Sequence, residues 1–283
     1  MNVVPVSIAA AIAYGGADFF GGIASRRAAT LTVVIATQFI GLVLLLALLP
    51  FVHGTFHSED VRWALACGLA GAVAIALFYR SLAIGTMGIV SPISAIIAAI
   101  IPVSFGLLRG EKPGLFALVG IACALVAVAC VSISGKVDGS IDQRGISIPR
   151  GLLEAIAAGV AFGFFFIALA QTRPDGGFFP LVITRIASFV IIAVAALVMR
   201  APLVPSRQSL ATVIACGVLD MSANMLYVIA SHIGLLSIAA VLTSLYPAAT
   251  IGLATVVLGE RLTRTQVIGV GVALIGVALI AAR

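Results

Sequence analysis

The sequence predicts an all-α integral membrane protein with ten transmembrane helices, arranged as two inverted repeats of five helices each. Three observations lead to this prediction: the composition, the length of the apolar segments and an internal repeat. Of the 283 residues, 62% are hydrophobic and only 9% are charged, and the mean hydropathy is +1.27. Because soluble domains carry about 25% charged residues, this composition excludes a soluble globular domain.

The apolar segments have the length of membrane-spanning helices. A helix of about 20 apolar residues crosses a hydrocarbon core about 30 Å thick, and segments of this kind recur along the whole chain. The short connections between them are typical of antiparallel neighbouring helices. The predicted spans are Val3–Ala24, Leu31–Val52, Val61–Ala83, Gly88–Leu108, Gly114–Ser134, Gly151–Gln171, Phe179–Met199, Ser209–Ser231, Ser237–Leu258 and Gln266–Ala282.

The internal repeat relates the C-terminal segment 233–283 to a segment that lies 149 positions earlier, without a gap. The two segments share a turn of glycine, acid and base, with flanking glycines held in register. The matched positions are Gly85 and Gly234, Gly110-Glu111-Lys112 and Gly259-Glu260-Arg261, and Gly120 and Gly269. Fainter matches join Ala13-Tyr14-Gly15 with Ala161-Phe162-Gly163, and Thr37-Gln38 with Thr184-Arg185. A repeat of this length indicates a duplication.

The duplication predicts the domain organisation. We expect a first repeat over residues 1–134, a linker over 135–149 and a second repeat over 150–283, because the linker is rich in glycine, serine and charged residues. Each repeat holds an odd number of spans, so the second enters the membrane from the opposite side. Inverted repeats of this kind place a shared binding pocket near the middle of the bilayer, where the halves meet.

Charge and cysteine usage favour neither an enzyme nor a metalloprotein. The net charge of +6 lies mostly in loops and suits anionic lipid headgroups better than nucleic acid. His53, His57, Glu59 and Asp60 share a loop, but such clusters are usually solvated, so neither a metal nor a cofactor is predicted. Common catalytic and nucleotide-binding motifs are absent from the sequence. The four cysteines lie in apolar segments, where we interpret them as packing residues: Cys67, Cys123, Cys130 and Cys216.

Basic residues predict the orientation. With the N-terminus inside, five basic residues would lie at cytoplasmic ends of spans and ten at the opposite ends. The positive-inside rule therefore favours both termini outside.

The eighth span carries the most informative polar pattern. Asp220, Asn224, Tyr227 and Ser231 follow one another at spacings that put all four on one helical face. A charged group at this depth costs about 2.5–3.5 kcal/mol and usually marks a route for substrate or protons. We interpret the face as a cavity wall in which Asp220 holds a proton or a cationic group. An interhelical hydrogen-bond seam without a ligand is the alternative.

Other spans carry further polar groups within the membrane. Arg185, on the antiparallel seventh span, can either pair with Asp220 or contact a ligand separately, and Gln38 takes its place in the first repeat. Asp18 lies one turn from Tyr14. It can form a structural cluster with Arg80 and Glu154, or it can act as a gate or proton site. The phenylalanines of span six are expected to contact lipid or pack between helices: Phe162, Phe164, Phe165 and Phe166.

Several motifs resemble the EamA-type branch of the drug/metabolite transporter superfamily. They are Gly259-Glu260-Arg261-Leu262 and Leu245-Tyr246-Pro247 in the second repeat, and Tyr79-Arg80-Ser81-Leu82-Ala83-Ile84-Gly85 and Gly110-Glu111-Lys112-Pro113 in the first. The resemblance covers the whole chain and implies ten helices, cytoplasmic termini, a central cavity and alternating access. This implied orientation disagrees with the count of basic residues. The Tyr246-Pro247 pair has Ile97 and Ala98 as its first-repeat equivalents, so the resemblance does not imply a symmetric gate.

The function that follows is secondary transport, in the export direction, of a small metabolite such as an amino acid or a related amphipathic solute. Protons are the expected coupling ion, and a bacterial inner membrane is the expected location. The alternatives are a membrane-embedded enzyme that acts on a lipid or polyprenyl phosphate, and a scaffold without transport activity. The predicted substrate-binding residues are Tyr14, Asp18, Gln38, Tyr79, Arg185, Asp220, Asn224, Tyr227 and Tyr246.

Overall fold

The structure is a computed structural model that describes residues 2–25, 27–84, 87–132, 151–258 and 263–281. Within these ranges the chain is helical and contains no β-strand, which confirms the predicted all-helical class. The predicted linker and the turn that contains Glu260 lie outside the described residues. The helices are α1 (Val3–Ser25), α2 (Thr30–Leu48), α3 (Ser58–Ile84), α4 (Met87–Leu108), α5 (Leu115–Ser132), α6 (Leu152–Ala170), α7 (Phe179–Val198), α8 (Arg207–Ile233), α9 (Leu236–Thr243), α10 (Tyr246–Leu258) and α11 (Arg264–Ala281).

Most of these helices have the dimensions of a membrane span. In the described part of the chain, eight helical segments are long and apolar enough to cross a bilayer, and one of them, Leu236–Val257, combines α9 and α10. Two shorter apolar helices, Ile93–Leu108 and Leu115–Cys130, complete the set. The segments follow the order of the predicted spans.

The ninth predicted span is broken in the middle. Helix α9 ends at Thr243 and α10 begins at Tyr246. Pro247 has no backbone N–H, so the carbonyl of Thr243 loses its usual helical donor, and the proline ring crowds the preceding turn. The Ser244 hydroxyl donates a hydrogen bond to the Val241 carbonyl at 2.7 Å. Pro247 therefore lies at a break between two helices within one apolar segment.

The two repeats pack around a pseudo-twofold axis. Helix α1 packs against α8 and α10, and its counterpart α6 packs against α3 and α4. In the same way, α2 packs against α8 while α7 packs against α3. Equivalent helices from the two repeats also meet directly, as α2 with α7 and α5 with α11. The duplication that is visible in the sequence is therefore also present in the packing.

Residue contacts show that the two repeats run in opposite directions. In the α5–α11 pair, Gly120 lies against both Gly276 and Ile280, whereas Cys123 and Ala124, further along α5, lie against Gly276, the earlier of these two residues in α11. These two equivalent helices are therefore antiparallel. Their twofold axis must lie across the helices, in the plane of a membrane, as inverted repeats require.

Glycines let the helices of the two repeats approach closely. A Cβ atom on Gly15 of α1 would come within 2.6 Å of the Ala249 Cβ and the Tyr246 carbonyl oxygen on α10. The repeat-equivalent Gly163 of α6 would place a Cβ within 2.6 Å of the Ile101 Cβ on α4. Helix association in lipid depends on such close packing, because lipid supplies no hydrophobic driving force.

The glycine–acid–base turn after α4 caps a helix of the other repeat. Gly110 has φ +91°, a conformation that glycine adopts without steric cost, and it turns the chain so that Glu111 faces α9. The two carboxylate oxygens of Glu111 accept hydrogen bonds from the backbone N–H groups of Leu236 at 2.7 Å and Ser237 at 3.1 Å. These N–H groups are at the start of α9, where helical donors lack partners and negative charge is favourable.

Polar contacts also join the α2–α3 loop to the α6–α7 loop. His57 Nε2 lies 2.9 Å from Asp175 Oδ2, and Arg173 pairs with Glu59 at 2.5 Å. The His57 hydrogen bond lowers the pKa of the exposed Asp175 carboxyl. Asp60 Oδ1 accepts a hydrogen bond from the Arg173 backbone N–H at 3.2 Å. Two members of the cluster that was expected to be solvated, His57 and Glu59, thus pair with residues of the other repeat, and Glu59 and Asp60 lie in the first turn of α3 and not in the loop.

We expect Glu111→Ala to lower the free energy of unfolding by about 1–3 kcal/mol, because two partly buried backbone N–H groups lose their acceptor. Thermal unfolding of the purified protein in detergent measures the change. Glu59→Ala is the matched control: the Glu59 side chain is 65% exposed, and surface ion pairs contribute little. Equal melting temperatures for the two variants would contradict the capping role.

Candidate functional site

A central cavity of about 110 Å³ lies between the repeats, lined by residues of α1, α2, α3, α4, α6, α7, α8 and α10. A buried water needs about 10–15 Å³ on the same scale, so the cavity can hold a small metabolite. Seven of the nine predicted binding residues line it: Tyr14, Asp18, Gln38, Arg185, Asp220, Asn224 and Tyr246. The side chain of an eighth, Tyr79, lies outside the part that the structure describes.

Arg185 is the centre of the polar network in this cavity. Its Nη2 donates to Asp220 Oδ2 at 2.8 Å and contacts Met221 Sδ at 3.2 Å. Its Nη1 donates to Gln38 Oε1, and the Gln38 amide in turn donates to the Ser188 hydroxyl. Of the two possibilities that the sequence left open, the structure shows the Arg185–Asp220 pair. Gln38, the counterpart of Arg185 in the first repeat, is its direct partner.

Only part of the polar face of α8 lines the cavity: Asp220 and Asn224 do, and Tyr227 does not. Asn224 donates to the Asp220 backbone carbonyl at 2.7 Å and accepts from the Tyr14 hydroxyl at 3.0 Å. Tyr227 does not line the cavity: its side chain is fully buried, and its hydroxyl donates to the Phe166 carbonyl at 3.3 Å. Helical spacing put Tyr227 on the correct face, but α6 packs over that turn and covers the ring, whose centroid lies 4.6 Å from that of Phe166.

Asp18 is not part of an ion cluster with Arg80 and Glu154. Arg80 Nε lies 3.6 Å from Glu154 Oε1, and the Arg80 side chain is 69% exposed. Asp18 lines the central cavity instead. The structure therefore does not contain the three-residue cluster. It contains an Arg80–Glu154 pair, and Asp18 lies apart from that pair in the cavity lining.

Sequence reasoning missed several lining residues. Thr184 and Ser188 of α7 and Thr37 of α2 line the cavity, and the Thr184 hydroxyl donates to the Ala64 carbonyl at 3.0 Å. The repeated pairs Thr37-Gln38 and Thr184-Arg185 could have indicated the two threonines, because each threonine is adjacent to a residue that was predicted to line the cavity. Three of the four phenylalanines of α6 also reach the cavity, and only Phe164 faces outward, with 57% of its surface exposed.

The cavity has two chemically different walls. The polar wall consists of Tyr14, Asp18, Asp220, Asn224 and Tyr246 from α1, α8 and α10. The aromatic wall consists of Ile75, Phe78, Phe162, Phe165 and Phe166 from α3 and α6.

The two walls occupy equivalent positions of the two repeats. Helices α3 and α8 have matching bounds at the repeat spacing, which pairs Gly71 with Asp220 and Ile75 with Asn224. The weaker match between α1 and α6 pairs Tyr14 with Phe162. The repeats thus share a backbone arrangement but not the chemistry of the side chains that it presents.

These features define the class of protein. Two oppositely directed repeats of apolar helices, with a cavity between them that is lined by ionisable side chains, form the architecture of a membrane transporter. The sequence profile of the EamA-like transporter family matches residues 2–133 and 149–282. The chain belongs to this family, which is part of the drug/metabolite transporter superfamily, and it is an integral membrane transporter rather than an enzyme.

A solved structure is similar over almost the whole chain. One crystal structure matches with a TM-score of 0.76 at 16% sequence identity, covering 99% of this chain and 98% of the other. At this identity the similarity shows the fold alone. Among the curated proteins no match is found.

We expect Asp220→Asn and Arg185→Gln each to lower the free energy of unfolding by about 2–3 kcal/mol. Each substitution leaves one charge without its partner, and breaking a buried ion pair costs about 3–5 kcal/mol. Because 26% of the Asp220 side chain is exposed, solvent screening lowers that cost. The double variant should lose less than the sum of the two, because no unpaired charge remains. Thermal unfolding of the three variants measures the coupling; strictly additive losses would rule out an energetic pair.

Proposed function

We propose that the protein is a secondary active transporter that exports a small amphipathic metabolite, of the size and polarity of an amino acid, by alternating access of the central cavity. Ten transmembrane helices in a bacterial inner membrane form the transport unit, and Tyr14, Asp18, Gln38, Arg185, Asp220, Asn224 and Tyr246 contact the solute. The observation that supports this most directly is that a single cavity is lined both by polar and ionisable side chains and by a group of aromatic side chains.

An amphipathic solute suits this pair of walls. Its polar end would replace lost hydration with contacts to Asp18, Asp220 and Asn224, whereas a purely apolar solute would leave those groups unsatisfied. Its apolar end would lie against Phe162 and Phe165, where aromatic rings supply large contact areas. The small volume of the cavity favours a metabolite over a large lipid.

Alternating access is supported by the organisation of the repeats. Inverted repeats can exchange conformations, so that each adopts in turn the arrangement that the other has left. The break between α9 and α10 lies beside Tyr246, a lining residue, and such a discontinuity is a natural hinge. In this structure Glu111 and the loop pairs His57–Asp175 and Glu59–Arg173 join the repeats on one face. Opening that face would have to break these contacts.

Ten spans require the shorter apolar helices α4 and α5 to cross the membrane. Reporter fusions placed after Lys112 and after Arg261 test this, since four and nine crossings would put the two turns on opposite sides. Detection of both reporters in the same compartment would eliminate the inverted ten-span topology. The same fusions decide between the orientation that the basic residues favour and the cytoplasmic termini that the family resemblance implies.

Transport by variants of the aromatic wall tests the function itself. We expect Phe162→Ala to reduce the flux of solutes with a phenyl or branched aliphatic group several-fold more than that of small polar solutes, because it removes apolar contact area. The measurement is flux of radiolabelled solutes in vesicles that contain the purified protein. Phe164→Ala, two residues along the same helix but facing outward, should transport like the unaltered protein. Similar flux defects in both variants would place the substrate elsewhere.

A further inference from the structure

The ionisable side chains that line the cavity include more acids than bases, so the lining has an excess of potential negative charge. Its charged lining residues in the described part of the chain are Asp18, Arg185 and Asp220. Arg185 and Asp220 neutralise each other at 2.8 Å. That leaves Asp18, for which the described residues supply neither a hydrogen bond nor an ion pair, although it lines the cavity.

An unmatched carboxylate at this depth requires a positive charge. Ionised groups inside a membrane are stable only when they are paired or hydrated, so Asp18 must either take up a proton or bind a cation. Helix α1 holds it rigidly, because Gly15 lets α10 close against the same stretch and Gly16 lies against Leu219 of α8. The other ionisable groups facing the cavity from neighbouring helices are Asp220 and Cys216 on α8, Tyr246 on α10 and Arg185 on α7, and Tyr14 lies one turn away on α1 itself.

The aromatic side chains around this acid favour an organic cation. Tyr14 lies one turn before Asp18, so both are on the same face of α1. The Tyr14 ring packs 6.1 Å from Phe166 and 6.4 Å from Tyr246, centroid to centroid, and all three residues line the cavity. The faces of aromatic rings attract ammonium groups, most strongly where water is excluded.

The cavity has no comparable group free for an anion. Arg185 is its basic lining residue in the described part of the chain. Both terminal nitrogens of the guanidinium are engaged, one with Gln38 and the other with Asp220 and Met221, and only 10% of the side chain is exposed. Because Asp220 already balances the charge of Arg185 and little of its side chain is exposed, Arg185 is a poorer partner for a solute carboxylate than Asp18 is for a solute cation.

We propose that the cavity selects its solute by an ammonium group that binds Asp18, so that amphipathic amines are preferred over zwitterions and anions are excluded. Solute and proton then compete for one carboxylate, which couples release of one to uptake of the other. This inference rests on the proposed transport function and narrows its substrate class.

Three probes that share a phenyl group separate the charges: phenethylamine carries the amine, phenylalanine the amine and carboxylate, and 3-phenylpropionate the carboxylate alone. We expect phenethylamine to raise the melting temperature of the purified protein most, phenylalanine less and 3-phenylpropionate not at all, since a ligand stabilises in proportion to its affinity. The apparent Kd for phenethylamine should increase as the pH is lowered, because protons occupy Asp18.

Asp18→Asn provides the decisive comparison. It should weaken phenethylamine binding about 10- to 100-fold, the usual effect of losing a hydrogen-bonded charge partner, and it should remove the pH dependence of the remaining binding. Glu154→Gln, which alters an acid paired with Arg80 outside the cavity, is the matched control and should bind as the unaltered protein does. A correctly folded Asp18→Asn protein is recognised by an unchanged melting temperature or elution profile without ligand; should it misfold, the probe ranking and pH dependence of the unaltered protein decide alone.

The proposal is overturned if 3-phenylpropionate binds as well as phenethylamine, if no probe binds, or if Asp18→Asn keeps both the affinity and its pH dependence. Flux measurements in vesicles separate this failure from that of the proposed function. Transport of neutral or anionic solutes that survives Asp18→Asn would refute amine selection and leave the transporter intact. Absence of flux for every solute would refute both.

Discussion

The ion pair between Arg185 and Asp220 is the interaction on which the centre of the molecule depends. A guanidinium inside a membrane must be matched, because no water replaces its hydration. Asp220 on α8 balances the charge of Arg185. Gln38, on α2 of the first repeat, accepts a second hydrogen bond from the Arg185 guanidinium. The pair therefore connects α7 to α8, and the hydrogen bond to Gln38 connects Arg185 to α2, which packs against both helices. Once Arg185 is satisfied in this way, the remaining charge of the cavity belongs to Asp18.

The two repeats use one arrangement of helices for two different chemistries. Equivalent packing brings α1, α8 and α10 to one side of the cavity and α6, α3 and α4 to the other. The first side presents mainly polar side chains and the second mainly aromatic ones, as at Tyr14 and Phe162. Under the proposed function, symmetry of the backbone would suit the exchange between two conformations, and asymmetry of the side chains would orient an amphipathic solute.

The motif that exposes the duplication has a structural role away from the cavity. Glu111 follows Gly110 in a tight turn and binds the free N–H groups at the start of α9. Such groups are costly to leave unpaired near a membrane, where water is scarce. The turn thus connects the end of one repeat's fourth helix to the broken helix of the other. The cap holds the N-terminal end of α9, and the break that follows Thr243 lies at the opposite end of the same short helix.

The sequence by itself determined the helical class, the order of the apolar segments, the duplication and seven of the lining residues, because apolar length and helical spacing are local properties. Only the tertiary structure decided which side chains share a space. Tyr227 has the right spacing on α8 but is covered by α6. Of the two roles that the sequence left open for Asp18, the structure places it in the cavity lining and not with Arg80 and Glu154, and three phenylalanines of α6 line the same cavity. These outcomes depend on how closely the glycine-containing faces of separate helices approach one another, and no periodicity within a single helix encodes that distance.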